Sequence, residues 1–157
     1  DIVFVKRTNE KSNNTISKVR YNIINEFNIE NIPKEKLRKW FDFDKVMETI
    51  VKYSSESVIV KSGTDEEELF LYISIRSIET GDFISIAQGR KSIKKLMTDE
   101  KIPARLRSEY NVFAIGQDVL WILSGGGVSG LNRIGSLYKV DESTKRILEI
   151  EIIQEGI

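Results

Sequence analysis

The spacing of apolar residues along the chain predicts mainly β-strands. Between residues 146 and 153 apolar and acidic side chains alternate, which is the two-residue period of a strand with one buried face. Two further apolar runs, 111–115 and 119–123, are separated only by Gly-Gln-Asp, a spacing typical of a hairpin. The remaining predicted strands cover residues 1–6, 16–28, 56–61, 69–75, 83–86 and 133–140, with polar loops at 9–15, 62–68 and 79–82.

A few segments have the spacing of amphipathic helices instead. Pro33 suits the first position of a helix, and the apolar residues after it fall on one helical face: Leu37, Trp40, Phe41, Met47, Ile50 and Val51. Shorter helices are predicted over 91–98 and 103–106; the first has three apolar residues turned inward, Ile93, Leu96 and Met97. Runs of strands with few inserted helices do not form regular βαβ units. The pattern therefore predicts an α+β fold with mostly antiparallel strands and a few short helices.

The composition limits the chemistry that the chain can perform. Apolar residues make up 40% of its 157 residues, and basic and acidic residues are equal at 24 each, which argues against a wholly disordered chain. There is no His and no Cys, so His-based triads, metal sites with His or Cys ligands and cysteine nucleophiles are excluded. No apolar run approaches the roughly 20 residues of a membrane span, and no signal peptide is apparent.

Charge is distributed unevenly along this neutral chain. Residues 83–107 contain seven basic and two acidic residues. They lie between two acidic segments: residues 64–82 have six acidic residues and one basic, and residues 108–157 have seven acidic and four basic. Binding to a nucleic acid would therefore depend on where the charges lie and not on the total charge.

The basic segment is the best candidate for a binding surface. Lys91, Lys94 and Lys95 have the i, i+3, i+4 spacing of residues that share a helical face, and Arg105 and Arg107 follow on the next short element. Such a face can neutralise several phosphates of a nucleic acid, in contacts that position the ligand without reading its sequence. The alternative from charge alone is an amphipathic surface helix with ordinary solvated lysines.

Two other segments suggest ligand binding less directly. Residues 124–130 form a glycine-rich loop that could turn backbone N–H groups toward a phosphate, but no Lys-Ser/Thr pair follows its last glycine. Residues 65–68 are all acidic and could bind a metal, although consecutive carboxylates on a turn mostly point apart. We interpret the first as a flexible turn or insertion and the second as a solvated hairpin tip, so no metal site is predicted.

Several short motifs follow one another in an order that is characteristic of one enzyme family. They are Trp-Phe-Asp-Phe-Asp-Lys-Val at 40–46, Ile-Arg at 75–76, Thr-Gly-Asp at 80–82, a basic segment at 91–103 that ends in Lys-Ile-Pro, paired strands at 111–123, Arg-Ile at 133–134, Tyr-Lys-Val at 138–140 and Thr-Lys at 144–145. In this order they resemble the C-terminal region of tRNA(Ile)-lysidine synthases, from Trp40 to Leu148. The sequence departs from that family at Ile78 and Phe83, where its members usually have basic residues, and at apparent insertions over 53–65 and 124–130.

The resemblance implies a role in tRNA modification. These enzymes are ligases that use ATP to attach lysine to the wobble cytidine of an isoleucine tRNA, and the chemistry belongs to an N-terminal ATP-pyrophosphatase domain whose loop reads Ser-Gly-Gly-x-Asp-Ser. Residues 124–129 are superficially like that loop, but Val128 stands where the Asp belongs. We therefore expect a C-terminal portion without the catalytic domain, with no catalytic residue and no cofactor of its own; ATP and magnesium belong to the whole enzyme.

The C-terminal domains of the family hold the tRNA, so the resemblance implies tRNA as the partner of a cytoplasmic protein that contacts no membrane. Residues 1–60 are expected to form a first subdomain (a linker or substrate-binding unit), and residues 61–157 the terminal tRNA-docking domain. Asp82 is expected to shape the turn at Gly81 or to orient a nearby Arg. The expected phosphate contacts are Lys91, Lys94, Lys95, Lys101, Arg105 and Arg107, with Arg76, Arg133 and Lys139 as further contacts.

An alternative function without nucleic acid is also open. The chain could be a protein-interaction or dimerisation module that uses a sheet edge, such as the strand predicted over residues 146–153. A homodimer is possible under either interpretation. A catalytic domain in its own right is least expected, because the sequence offers no convincing pair of nucleophile and base.

Overall fold

Two β-sheets form most of the part of the chain that the computed structural model describes, which comprises residues 3–7, 18–53, 70–124 and 130–153. The first sheet consists of β1 (Val3–Arg7), β2 (Lys18–Ile24), β3 (Arg38–Asp42) and β10 (Ile147–Ile152). Its spatial order is β1-β2-β10-β3, and all of its pairs are antiparallel.

The second sheet has the spatial order β4-β7-β8-β5-β6, and β9 pairs with β8 beside it. Its strands are β4 (Ser74–Ser77), β5 (Phe83–Ile86), β6 (Gly89–Ser92), β7 (Tyr110–Ile115), β8 (Asp118–Ser124) and β9 (Asn132–Ile134). The α-helices are α1 (Phe43–Tyr53), α2 (Ile93–Asp99) and α3 (Ala104–Arg107), and short 3-10 helices lie at Ile29–Asn31, Phe70–Tyr72 and Ser136–Tyr138. Among the described pairs only β5 and β8 run parallel, so the predicted α+β class with mostly antiparallel strands is confirmed.

The second sheet is buried on both faces. On one face Phe113 and Trp121 stack with their ring centroids 4.9 Å apart and share a core cluster with the first sheet and α1. On the other face Ile84, Val112 and Ile122 pack against α2. Every residue of β7 is consequently buried, and apart from Asn111 the strand is apolar on both faces instead of alternating.

The predicted hairpin between β7 and β8 is confirmed. The two strands pair antiparallel around Gly116, whose φ of 58° lies in the left-handed region that glycine adopts without strain. There is also no room for a side chain at position 116, because a Cβ on Gly116 would come within 2.7 Å of Cδ1 of Tyr53. Both backbone geometry and the packing of α1 therefore require glycine at this turn.

β10 is an inner strand, so the sheet edge that the sequence suggested for a partner at residues 146–153 is not free. It pairs with β2 on one side and with β3 on the other, so both of its edges are hydrogen-bonded and it offers no free sheet edge to a partner. The strand was placed in the second of the two expected subdomains, 1–60 and 61–157, yet it completes the sheet of the first. That division stays a prediction.

The long helix expected from Pro33 was wrong in its first half. Residues Arg38–Asp42 form β3, and α1 begins only at Phe43. The position of Trp40 fits the apolar period of a strand as well as that of a helix. Pairing with β10 selects the strand, in which the Trp40 indole N–H donates to Oε2 of Glu149 at 2.8 Å. Asp42 then caps the helix, because its Oδ1 accepts the backbone N–H of Lys45 at 3.2 Å.

Three predicted strands were too long. The strand predicted over 16–28 ends at Ile24, and the other two stop short for reasons of packing. In the predicted strand 69–75, residues Phe70–Tyr72 form a 3-10 helix whose Phe70 ring stacks on Tyr21 at 4.8 Å. In the predicted strand 133–140, pairing stops at Ile134, and Tyr138 turns inward so that its hydroxyl lies 2.8 Å from that of Thr49. The features expected at 9–15, 56–61 and 62–68 lie outside the described residues.

No helix in the described part is long and apolar enough to cross a membrane.

We predict that Ile150→Ala, which truncates a fully buried side chain of β10, lowers the free energy of unfolding by about 2–5 kcal/mol. Because both sheets contribute to one core cluster, chemical denaturation followed by circular dichroism and by tryptophan fluorescence should show one shared transition. Lys145→Ala, at an exposed position, is the control and should change stability by less than about 0.5 kcal/mol. Two separate transitions would contradict a shared core.

Candidate nucleic-acid interface

Helix α2 presents the basic segment on the outer face of the second sheet. The side chain of Ser92 caps the helix by accepting the backbone N–H of Lys95 at 3.1 Å. Ile93, Leu96 and Met97 are buried against the sheet, as the sequence predicts, at positions i, i+3 and i+4 of the helix. The lysines between them therefore point away from the core, on an element that the core holds in place.

Two of the predicted contact residues are partly neutralised by one carboxylate. The helix predicted over 91–98 begins only at Ile93, so Lys91 lies on β6 and does not share a helical face with Lys94 and Lys95. Its Nζ is 2.9 Å from Oδ2 of Asp99, while Nζ of Lys95 is 3.2 Å from Oδ1. The hydrogen bonds from Lys91 and then from Lys95 hold the pKa of the Asp99 carboxyl below its usual range. Asp99 therefore stays ionised and offsets half of the charge of the pair.

Other cations of the same region keep their charge unpaired. Within the described residues, no ion pair is formed by Lys94, Lys101, Arg105 or Arg107. Lys94, Lys101 and Arg105 are exposed, and Nε of Arg107 donates to the carbonyl oxygen of Ile102 at 3.1 Å. These four residues, on α2, α3 and the turn between them, are referred to below as the basic surface.

Arg76 is built into the fold. Its Nη1 and Nη2 donate to the two carboxylate oxygens of Asp82 at 2.8 and 2.9 Å, and Nη2 also reaches the carbonyl oxygen of Gly116 at 3.0 Å. Asp82 accepts in addition the backbone N–H of Glu79 at 2.8 Å, which closes the turn at Gly81. The prediction that Asp82 shapes this turn and orients an Arg is confirmed.

The remaining two predicted residues lie apart from each other. Arg133, on β9, forms an ion pair with Glu100 at the end of α2, which brings it to the edge of the basic segment but satisfies its charge. Lys139 is exposed and follows the 3-10 helix Ser136–Tyr138, which packs on α1 and β5. The structure thus gathers most of the predicted residues around α2 and leaves Lys139 on a different element.

One basic residue near the site escaped the sequence-based list. Arg90 on β6 places its guanidinium 4.3 Å from the centroid of the Phe83 ring on β5. The β5–β6 hairpin over 83–92 makes these two positions diagonal neighbours, and it was missed because residues 91 and 92 were assigned to the following helix. Arg90 also lines a cavity of about 500 Å³ with Lys52 and Asp118, where burial raises the pKa of the Asp118 carboxyl.

The structure does not describe the two segments that the sequence suggested less directly as ligand sites. The acidic run 65–68 and residues 125–129 of the glycine-rich loop lie outside the described residues. Within the residues that the structure does describe, no cluster of three or more acidic side chains could hold a metal ion.

Comparison with curated proteins finds tRNA(Ile)-lysidine synthases. The chain is 30% identical to the one from Clostridium tetani over 148 residues, which are 91% of this chain and 25% of the relative. It is 26% identical to the one from Caldanaerobacter subterraneus subsp. tengcongensis over 142 residues, 89% of this chain and 24% of the relative. The match to the one from Clostridioides difficile is 30% over 125 residues, 76% of this chain and 26% of the relative.

The chain therefore spans about a quarter of the length of the curated relatives it matches. No protein-family model matches it, and neither does a solved structure.

We predict that Arg76→Met destabilises the protein by about 3–5 kcal/mol, because it leaves the fully buried carboxylate of Asp82 without its cation. Arg105→Met, the same substitution at an exposed position, should change stability by less than about 0.5 kcal/mol. Urea denaturation of the two variants measures the difference. Equal stabilities would show that the Arg76–Asp82 pair does not support the turn.

We predict that Asp99→Asn strengthens binding to a polyanion, because it releases Lys91 and Lys95 from their shared carboxylate. The variant should elute from a heparin column at a higher salt concentration than the unmodified chain. Its unfolding midpoint should change little, since ion pairs between exposed side chains add little stability.

Glu142→Gln is the matched control for Asp99→Asn. It removes one exposed negative charge from a loop that precedes β10, outside the basic segment. An equal shift in elution for both variants would mean that retention follows net charge and not the freed lysines.

Proposed function

Because this chain belongs to the tRNA(Ile)-lysidine synthase family, of which it is a C-terminal segment, we propose that it docks tRNA through the basic surface. The relatives are named for their action on an isoleucine tRNA, and we assign the same substrate to this chain. The ATP-dependent attachment of lysine to the wobble cytidine is assigned to the part of the family's sequence that this chain does not span.

The observation that carries the proposal is a set of unpaired cations on a rigid support. Lys94 lies on α2, Lys101 in the turn, and Arg105 and Arg107 on α3. Helix α2 is fixed to the second sheet by three buried side chains, so the backbone that carries Lys94 needs little ordering when it meets a ligand. Phosphates are the fitting partners, because contacts of this kind position a nucleic acid without reading its bases.

The other predicted contacts take graded roles in this proposal. Lys91 and Lys95 contribute less to tRNA affinity than two free lysines would, because both form ion pairs with Asp99. Arg133 contacts tRNA only if it exchanges Glu100 for a phosphate, and Arg76 acts by holding the turn at Gly81. Lys139 would need a second point of contact on the tRNA, away from the basic surface.

The protein-interaction alternative loses its main argument. It relied on a free edge at the strand 146–153, and β10 is paired on both sides. Formation of a homodimer stays a prediction, with no surface assigned to it.

We predict a strong salt dependence of tRNA binding by this chain. With about five phosphates contacted, a plot of log affinity against log salt should have a slope of roughly −4. The triple variant Lys94→Gln, Lys101→Gln, Arg105→Gln should weaken binding and make the slope shallower by about 3, because each phosphate contact contributes about one unit. Fluorescence anisotropy with a labelled tRNA transcript at several salt concentrations measures both quantities.

The matched control removes three exposed positive charges elsewhere: Lys34→Gln, Lys36→Gln and Lys145→Gln. It has the same net charge as the first triple variant, so it separates local contacts from the overall charge. Equal affinities and equal slopes for the two triple variants would refute the basic surface as the docking site.

A further inference from the structure

A cavity of about 450 Å³ lies beside the basic surface, where the turn after β4 meets α2 and α3. Its size is within the range of sites that hold small molecules, roughly 300–1,000 Å³. One part of its wall is cationic and another is apolar. The lining residues that matter here are Ile78, Glu79, Lys94, Met97 and Arg107.

The cationic part can hold a phosphate. Lys94 and Arg107 both line the cavity, and within the described residues neither forms an ion pair. The bond from Nε of Arg107 to the carbonyl oxygen of Ile102 fixes the plane of the guanidinium and leaves its terminal nitrogens for a ligand. An ammonium and a fixed guanidinium at one cavity form a strong site for a phosphate, because both make charge-assisted hydrogen bonds.

The apolar part can hold a ring. Ile78 from the turn and Met97 from α2 line the same cavity. Ile78 is half-buried and Met97 is only 1% exposed, so Ile78 offers most of the apolar contact. Unstacked nucleobases are the aromatic rings that occur together with phosphates in RNA, and proteins recognise RNA largely through such unpaired bases.

The acidic residues at the cavity set the orientation of a ligand. Asp82 is fully engaged by Arg76. Glu79 is exposed and forms a longer ion pair with Arg76, 3.7 Å from Oε1 to Nε, and its carboxylate repels a phosphate from the turn. The phosphate therefore belongs near Lys94 and Arg107. Glu79 remains available as an acceptor for an amino group on a base.

We propose that this cavity binds a single unpaired nucleotide of an RNA, with its phosphate on Lys94 and Arg107 and its base against Ile78 and Met97. The inference rests on the proposed docking of tRNA and adds a site for one nucleotide outside the helical stems. It differs from the phosphate contacts of the basic surface because it requires the base as well as the charge.

The test is a titration of the whole chain with nucleoside monophosphates, followed by NMR of the backbone amides of Gly81, Lys94 and Ser108. Adenosine and cytidine monophosphates should shift these amides. Inorganic phosphate and the free nucleosides should each bind about tenfold more weakly, because each makes only half of the contacts. Phosphate that binds as tightly as the nucleotides would overturn the proposal, since the base would then contribute nothing.

Lys94→Gln should weaken nucleotide binding about tenfold, through the loss of one charge-assisted hydrogen bond. Lys145→Gln is the matched control: it removes one exposed lysine charge outside the basic segment, does not line the cavity, and should leave nucleotide binding unchanged. Equal losses in both variants would also overturn the proposal. Arg107→Lys keeps the charge but not the fixed guanidinium and should retain part of the affinity.

Parallel titrations with tRNA separate the two hypotheses. If tRNA binds with a steep salt slope but nucleotides shift none of the cavity amides, the nucleotide site is wrong and tRNA docking stands. If neither ligand binds, both are wrong.

Discussion

Burial of the β7–β8 hairpin on both of its faces is the constraint on which the rest of this structure depends. Trp121 and Phe113 tie one face to the first sheet, and Val112 and Ile122 tie the other to α2. The hydrophobic stabilisation of a fully buried side chain is about 1.5–3 kcal/mol, and this hairpin contributes to two apolar layers at once. Elements that make few contacts of their own, such as the seven-residue α2, obtain their fixed positions from it.

The fixed position of α2 determines which charges of residues 83–107 are paired and which are open to a ligand. In the sequence, residues 83–107 carry a net charge of +5 from seven basic and two acidic residues. In the structure, both acidic residues are used against cations, Asp99 against Lys91 and Lys95 and Glu100 against Arg133. Among the described ion pairs, five basic residues of the segment have none. Arg90 lies over the Phe83 ring, and the other four, Lys94, Lys101, Arg105 and Arg107, form the basic surface. The basic surface is therefore displaced toward α3 from the face that helical spacing alone indicates.

Much of this fold could be predicted from local pattern. The β7–β8 hairpin, the strand over 147–152 and the inward residues of α2 follow from periodicity and turn residues within short windows. The start of α1 could not be predicted in this way. Trp40 fits the spacing of a helix and that of a strand, and the contact that selects the strand is with Glu149, which is distant in sequence. The same limit applies to the candidate site: the spacing of Lys91 and Lys95 is visible in the sequence, but their pairing with Asp99 needs the bend from β6 into α2.

The position of β10 has a consequence for biosynthesis. β2 and β3 have no direct pairing with each other in this sheet, since the strand that joins them is Ile147–Ile152. While a ribosome is still translating the region before that strand, the first sheet has a gap in its middle with unsatisfied backbone groups on both sides. A nascent chain interrupted before the codon for Ile147 would therefore expose two open strand edges, and we expect such products to be substrates for chaperones or proteases.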